Sequence, residues 1–282
     1  MPSLRTEDGR NLAWEETGSG PPLLCHPGGP GASGKYFGHL PRLAAERTML
    51  LLDPRGTGAS GRPADATAYG LSDYAVDIEA VRRHLGLERL DLLGHSHGGF
   101  VAMAWAAANP GSVGRLVLSN TAPRFTDTIR QARTAIIESY AAEPWFADAL
   151  AALEAHQAGR FANDEELDAL LQRNVPFYFR CWGEEEQAIG AQLRPLNADA
   201  LRHFNDNVAA GMDHRPALAN VTAPVLVITG EEDFFPEPAA REIADALPNA
   251  ELVVIAGGGH FTFAEPGAGR LWAEAVLEFL GR

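Results

Sequence analysis

Gly94-His95-Ser96-His97-Gly98 sets a serine between two glycines, after the apolar run Leu90 to Leu93 and before an apolar stretch from Phe100 to Ala108 that stops at Asn109-Pro110-Gly111. A G-x-S-x-G turn from strand to helix forces its serine into a strained, exposed conformation, and the glycines are needed because a Cβ on either would strike the neighbouring chain. Such a serine attacks a carbonyl carbon once a base removes its proton and a third group orients that base. Two later segments supply these groups. Gly230-Glu231-Glu232-Asp233 and Gly257-Gly258-Gly259-His260 each follow an apolar run, so Ser96, Asp233 and His260 are the expected nucleophile, acid and base. Glu231 and Glu232 compete for the acid's role, and the place of Asp233 in the turn favours it. The oxyanion formed on attack needs two fixed N–H donors. His97, directly after the nucleophile, is expected to give one; the loop Pro27-Gly28-Gly29-Pro30-Gly31 is expected to give the other from Gly29, with Gly28 as the neighbouring choice.

Other chemistry-bearing residues read as structural. His95 and His97 flank the serine, where adjacent side chains point apart, and two ligands do not make a zinc site. His26 at a strand end reads as a hydrogen-bonded structural residue. Asn120 lies after the strand that follows the serine, but an amide cannot stabilise an imidazolium as an acid does. Gly56-Thr57-Gly58-Ala59-Ser60-Gly61 matches G-x-G-x-x-G, yet Arg62-Pro63 follows and no helical period begins until about Ser72, so a dinucleotide site is rejected.

These residues must be held by strand ends. Ser3 to Thr6 and Asn11 to Glu16 predict a hairpin, and Pro22 to His26, Thr48 to Asp53, Arg89 to Leu93, Gly114 to Asn120, Ala223 to Gly230 and Glu251 to Ile255 predict buried strands. A helix from Ser72 through Leu85, with Val76, Ile78, Val81 and Leu85 as its apolar positions, feeds the serine strand, and a last helix runs from about Gly269 to Leu280. The alternation predicts an α/β fold with a mostly parallel, doubly wound sheet. From Pro123 about ninety residues turn helical and rich in Ala and Glu, with Asn163 as an N-cap. The expected division is a core at 1–122 and 217–282 with an inserted helical cap at 123–216.

The 282 residues are 46% hydrophobic and 21% charged, which suits one large globular unit. A formal net charge of -14 argues against a phosphate-binding surface, so neither nucleic acid nor an anionic membrane is an expected partner. Two cysteines, Cys25 and Cys181, without metal spacing fit a reducing cytoplasm, and the first residues lack the apolar core of an export signal. No metal or cofactor is expected, and oligomeric state is not legible.

With these residues together, the chain resembles the α/β-hydrolases of the prolyl iminopeptidase and tricorn-interacting aminopeptidase type over nearly its whole length. Gly28-Gly29-Pro30-Gly31 matches the family's oxyanion loop, Asp53 to Ser60 its Asp-x-Arg-Gly-x-Gly-x-Ser loop, and Ser96, Asp233 and His260 its triad. The resemblance implies an α/β-hydrolase fold and release of an N-terminal residue, often proline, from a short peptide without metal or cofactor. Family members hold the substrate amine with cap glutamates, and in one branch with a glutamate just after the triad aspartate, where this chain has Phe234. Glu184-Glu185-Glu186 after the aromatic stretch Phe177 to Trp182 is the replacement to test, so Gly28, Phe234, Trp182 and Glu185 are the expected substrate-binding residues. The alternative is a carboxylesterase or lactonase in which Phe234, Phe235 and cap aromatics line an apolar pocket; a non-catalytic binding protein of the same fold is the third reading.

Overall fold

Alternate residues of the central strands enter opposite faces of one sheet, as the two-residue period of a strand requires. Leu24, Leu50, Leu92, Leu116, Leu118 and Val227 pack on one side, and Leu23, Cys25, Leu51, Leu93, Val117 and Ile228 on the other, each within a continuous apolar core. Two-sided burial is why these strands read as unbroken apolar runs. The computed structural model describes residues 1–38, 40–193 and 196–281.

The strands are β1 (Ser3–Arg5), β2 (Asn11–Gly18), β3 (Pro22–His26), β4 (Thr48–Asp53), β5 (Leu90–His95), β6 (Val113–Ser119), β7 (Val225–Gly230) and β8 (Ala250–Ile255). Their order in the sheet is β1-β2-β4-β3-β5-β6-β7-β8. β1 with β2 and β2 with β4 run antiparallel, and every other pairing is parallel. The chain moves from β3 outward to β4 and then returns to β5 on the other flank of β3. That reversal opens a crevice at the carboxyl ends of β3 and β5, the place where open α/β sheets bind ligands.

Around the sheet lie α1 (Pro41–Ala44), α2 (Leu71–His84), α3 (His97–Ala108), then α4 (Asp127–Ser139), α5 (Phe146–Gln157), α6 (Asp164–Asn174), α7 (Glu184–Gly190), α8 (Ala198–His203) and α9 (Arg215–Leu218) between β6 and β7, and finally α10 (Glu237–Ala246) and α11 (Ala268–Gly281). Among the described residues the segment between β6 and β7 forms no strand, only an isolated bridge from Arg124 to Asp213. Asn163 caps α6 by accepting the Glu166 N–H. No helix among the described residues is long and apolar enough to cross a membrane.

One apolar assignment on α2 is corrected. Val76 is 63% exposed, while Tyr74, Ile78 and Val81 form the buried stripe with Asp77 beside it. Asp77 is buried because two cations claim it: Arg55 spans both of its carboxylate oxygens at 2.8 Å, and Arg10 Nη2 donates to Oδ1 at 3.0 Å. This bidentate pair ties the loop after β4 to α2. The same loop closes on Asp53, whose carboxylate accepts the Gly34 and Ala59 N–H groups at 2.8 Å each. The glycines from Gly56 to Gly61 therefore serve a turn that binds its own chain.

Candidate active site

Ser96 sits between the last residue of β5 and the first of α3 with φ of 55° and ψ of -119°, a conformation that L residues rarely adopt. The surroundings hold it there. Its N–H donates to Ser119 O at 3.0 Å, continuing the ladder between β5 and β6, and its C=O accepts the Thr121 hydroxyl at 2.9 Å. The turn is tight because a Cβ on Gly94 would come within 3.0 Å of Gly98 O, and one on Gly98 within 3.0 Å of His26 O.

Three strand ends then bring three side chains into line. Ser96 Oγ is 3.0 Å from His260 Nε2, and His260 Nδ1 is 2.6 Å from Asp233 Oδ1. Asp233, after β7, is wholly buried. Its other oxygen, Oδ2, accepts the Asn120 amide and the Thr229 hydroxyl at 3.0 Å each. Asn120 also donates from Nδ2 to Gly259 O and to the Thr262 hydroxyl, and accepts the Ser119 hydroxyl. The amide at the end of β6 is thus a clamp on the carboxylate after β7, a role that sequence reasoning missed when it asked only whether Asn120 could be the acid.

A second chain of bonds positions His260 from behind. Burial pushes the His95 imidazole well below its ordinary titration range, so it is neutral with one N–H. His95 Nε2 lies 2.8 Å from the His260 carbonyl, which can only accept, so the proton is on Nε2. His95 Nδ1 then accepts the Tyr36 hydroxyl at 2.7 Å. The His260 N–H donates in turn to the Tyr178 carbonyl at 2.9 Å, which links the base to the segment between β6 and β7. Gly259, just before it, donates to Glu265 Oε2 at 2.6 Å.

Gly29 and Pro30 face Ser96 across the crevice and line its cavity. Gly29 has φ of 110°, and a Cβ there would come within 3.0 Å of the Gly31 and Ala32 nitrogens. Among the described residues, neither the Gly29 nor the His97 N–H donates to a protein acceptor. Gly28 lies outside the cavity lining, but a Cβ on it would meet Tyr36 Oη at 2.7 Å and Ser96 Cβ at 3.0 Å. It lets the loop reach the serine.

The cavity has two lobes that share Gly29, Pro30, Ser96, His156, Tyr178, Leu201 and His260. The smaller, about 50 Å³, is closed by Leu171, Leu193, Leu196 and Phe261. The larger, about 270 Å³, is walled by Phe100, Phe125, Phe204, Phe234 and Phe235 and carries Arg130 and Arg133. Phe234 packs edge-on against Tyr178 and beside the His260 ring. The Arg133 guanidinium lies 5.0 Å over the Phe234 ring, and its Nε is buried without a hydrogen-bond partner. Burial pushes His156, on the same wall, down to about 4, with the Arg133 charge adding to the effect.

Trp182 and Glu185 are corrected: among the described residues, neither lines either lobe. Glu186 is the inward member of its acidic run, because its carboxylate caps α7 by accepting the Gly183 N–H at 2.9 Å. Glu185, one position back and so about 100° around the helix, is exposed. Trp182 lies on Phe179 and against Gly190, where it covers α7. No Asp or Glu lines either lobe among the described residues, and none of these residues form a cluster of three or more His, Cys, Asp or Glu placed to hold a metal.

A family model described as the alpha/beta hydrolase fold matches residues 21–266. A proline iminopeptidase of Lactobacillus delbrueckii subsp. lactis is 28% identical over 279 residues, covering 91% of this chain and 89% of its own. A 2-(acetamidomethylene)succinate hydrolase of Mesorhizobium japonicum is 32% identical over 263 residues, covering 92% and 88%. Among solved structures, a hydrolase from Pseudomonas aeruginosa PA01 superposes with a TM-score of 0.74 at 26% identity, covering 100% of this chain and 98% of the other.

Proposed function

The chain belongs to the alpha/beta hydrolase fold family, and on that premise we propose that it is a serine hydrolase that cleaves a carboxylic ester or lactone through an acyl-enzyme. The observation that carries this reading is the unbroken line from Ser96 Oγ through His260 to Asp233, with bonds of 3.0 Å and 2.6 Å. Nε2 of His260 takes the serine proton as Oγ bonds to the substrate carbonyl carbon. The N–H groups of Gly29 and His97, free of protein acceptors among the described residues, hold the oxyanion. His260 then passes its proton to the leaving oxygen as the carbon–oxygen bond breaks. Water enters, gives a proton to His260 and attacks the acyl carbon; the acid departs and the serine regains its proton.

The phenylalanine-walled lobe suits an acyl or alcohol portion that gains from leaving water. A second reading, release of an N-terminal proline, draws its support from the proline iminopeptidases to which the chain is similar. It is the weaker fit to the cavity, since a substrate ammonium needs a carboxylate and meets Arg133 instead.

Side-by-side rates on 4-nitrophenyl butyrate and proline 4-nitroanilide, with Ser96→Ala as control, test both readings. Ester turnover that vanishes in Ser96→Ala, without anilide turnover, is the expected result. Anilide turnover lost on blocking the amine would transfer the assignment to an aminopeptidase, and the same ester rate in Ser96→Ala would overturn the serine mechanism.

A further inference from the structure

Arg133 projects half-buried from α4 into the larger lobe with no hydrogen bond and no ion pair among the described residues, its Nε enclosed and its guanidinium over the face of Phe234. A guanidinium stays charged in proteins, and an unpaired cation partly withdrawn from water beside aromatic rings gains only in part from ring contact. The buried arginines Arg10, Arg55 and Arg47 are by contrast paired: Arg10 and Arg55 share Asp77, and Arg47 holds Asp91. Acidic residues outnumber basic ones by 37 to 23, so partners are plentiful, yet none of those described faces Arg133. The titratable neighbours in its lobe are Tyr178, His97, His156, His260 and Arg130, and no carboxylate is among them. Arg130 lies one turn back at the same lobe and is engaged by Asp127.

We propose that Arg133 is a specificity-determining residue that receives a carboxylate borne by the substrate, so that the natural ester, lactone or related acyl compound is an organic anion. This rests on the serine hydrolase reading for its chemistry but not for its binding. A planar guanidinium offers two parallel N–H donors to a carboxylate, and the apolar phenylalanine walls strengthen that pair. The net charge of -14 repels anions in general, so selection falls to these local cations at the cavity.

The test compares kcat/KM on neutral 4-nitrophenyl butyrate with two anionic esters. One, 4-nitrophenyl hydrogen glutarate, carries the carboxylate in its acyl part; the other, 4-carboxyphenyl butyrate, carries it in the leaving group. In Arg133→Gln the anionic-to-neutral ratio should fall at least about tenfold for one of them, through KM, with Arg133→Lys between the two. The ester affected identifies which side of the scissile bond faces Arg133. In parallel, monomethyl glutarate is titrated calorimetrically into Ser96→Ala with and without Arg133→Gln. Binding lost with Arg133 while no ester is cleaved would keep the carboxylate site and remove the hydrolase reading. Ester cleavage whose ratios ignore Arg133, with no Arg133-dependent binding, would overturn the proposal and leave the hydrolase reading standing.

Discussion

Asn120 Nδ2 donates to Asp233 Oδ2 at 3.0 Å, so the carboxylate that orients His260 is itself held by an amide from the neighbouring strand end. Among the described residues only the Thr229 hydroxyl shares that oxygen. Asn120→Ala should therefore lower kcat on 4-nitrophenyl butyrate about tenfold, the cost of one donor to a buried charge, with KM little changed. Asn120→Asp should lower it further, since two carboxylates in contact cannot both ionise. Equal kcat in wild type and Asn120→Ala would mean that Thr229 alone suffices.

Gly98 tests the elbow as architecture. A Cβ there would come within 3.0 Å of His26 O and Pro27 O, backbone atoms at the carboxyl end of β3 that cannot step aside as a flexible side chain could. Gly98→Ala should cost about 3 kcal/mol or more in urea unfolding. Gly111→Ala, whose Cβ would meet nothing within 4 Å, should stay within about 0.5 kcal/mol. Similar midpoints for the two variants would show that the β3–α3 contact yields.

The legible parts of this site are those fixed by local patterns. β5, β7 and β8 are mostly apolar runs followed by glycine, and in an open α/β sheet their ends converge, so Ser96, Asp233 and His260 could be named from the spacing and order of these segments. What resisted reading depends on contacts between distant segments. Asn120 declares no role until Asp233 lies opposite it. Arg133 belongs to a polar amphipathic helix in which a half-buried arginine facing a cavity looks like any solvated one, whereas Glu186 differs from exposed Glu185 by a local bond, its N3 cap on the Gly183 N–H. Asp77 is buried on α2 in place of Val76 because Arg10 and Arg55 arrive from the turn before β2 and the loop after β4.

Tyr36 reaches the base through an intermediary. Its hydroxyl donates to His95 Nδ1 at 2.7 Å, and His95 passes an N–H to the His260 carbonyl at 2.8 Å. Tyr36→Phe leaves a buried acceptor without its donor, which should cost about 1–3 kcal/mol in unfolding free energy. Because the ring still fills its place against Phe37 and Phe263, activity should fall through kcat rather than through KM. A variant with unchanged stability would mean that His95 finds another donor.

Glu265 makes the segment carrying His260 sensitive to pH. Its carboxylate accepts the N–H groups of Arg180 and Gly259 at 2.6 Å each, yet burial outweighs them and raises it from 4.5 to about 7. A carboxyl raised on folding binds its proton more tightly in the native state, so its contribution to stability is fully present below about 4.5 and is lost as pH rises through 7. With 7 minus 4.5 giving 2.5 units, the loss is at most about 3 kcal/mol. Unfolding free energy measured from pH 4.5 to 7.5 should therefore decline more steeply in the wild type than in Glu265→Gln, whose side chain does not titrate. The Gln variant should be less stable at low pH, where its amide must set an N–H against one of the two backbone donors, and the gap should narrow toward pH 7.5. Parallel curves would show that Glu265 is ionised throughout and that the two backbone donors, not burial, govern it.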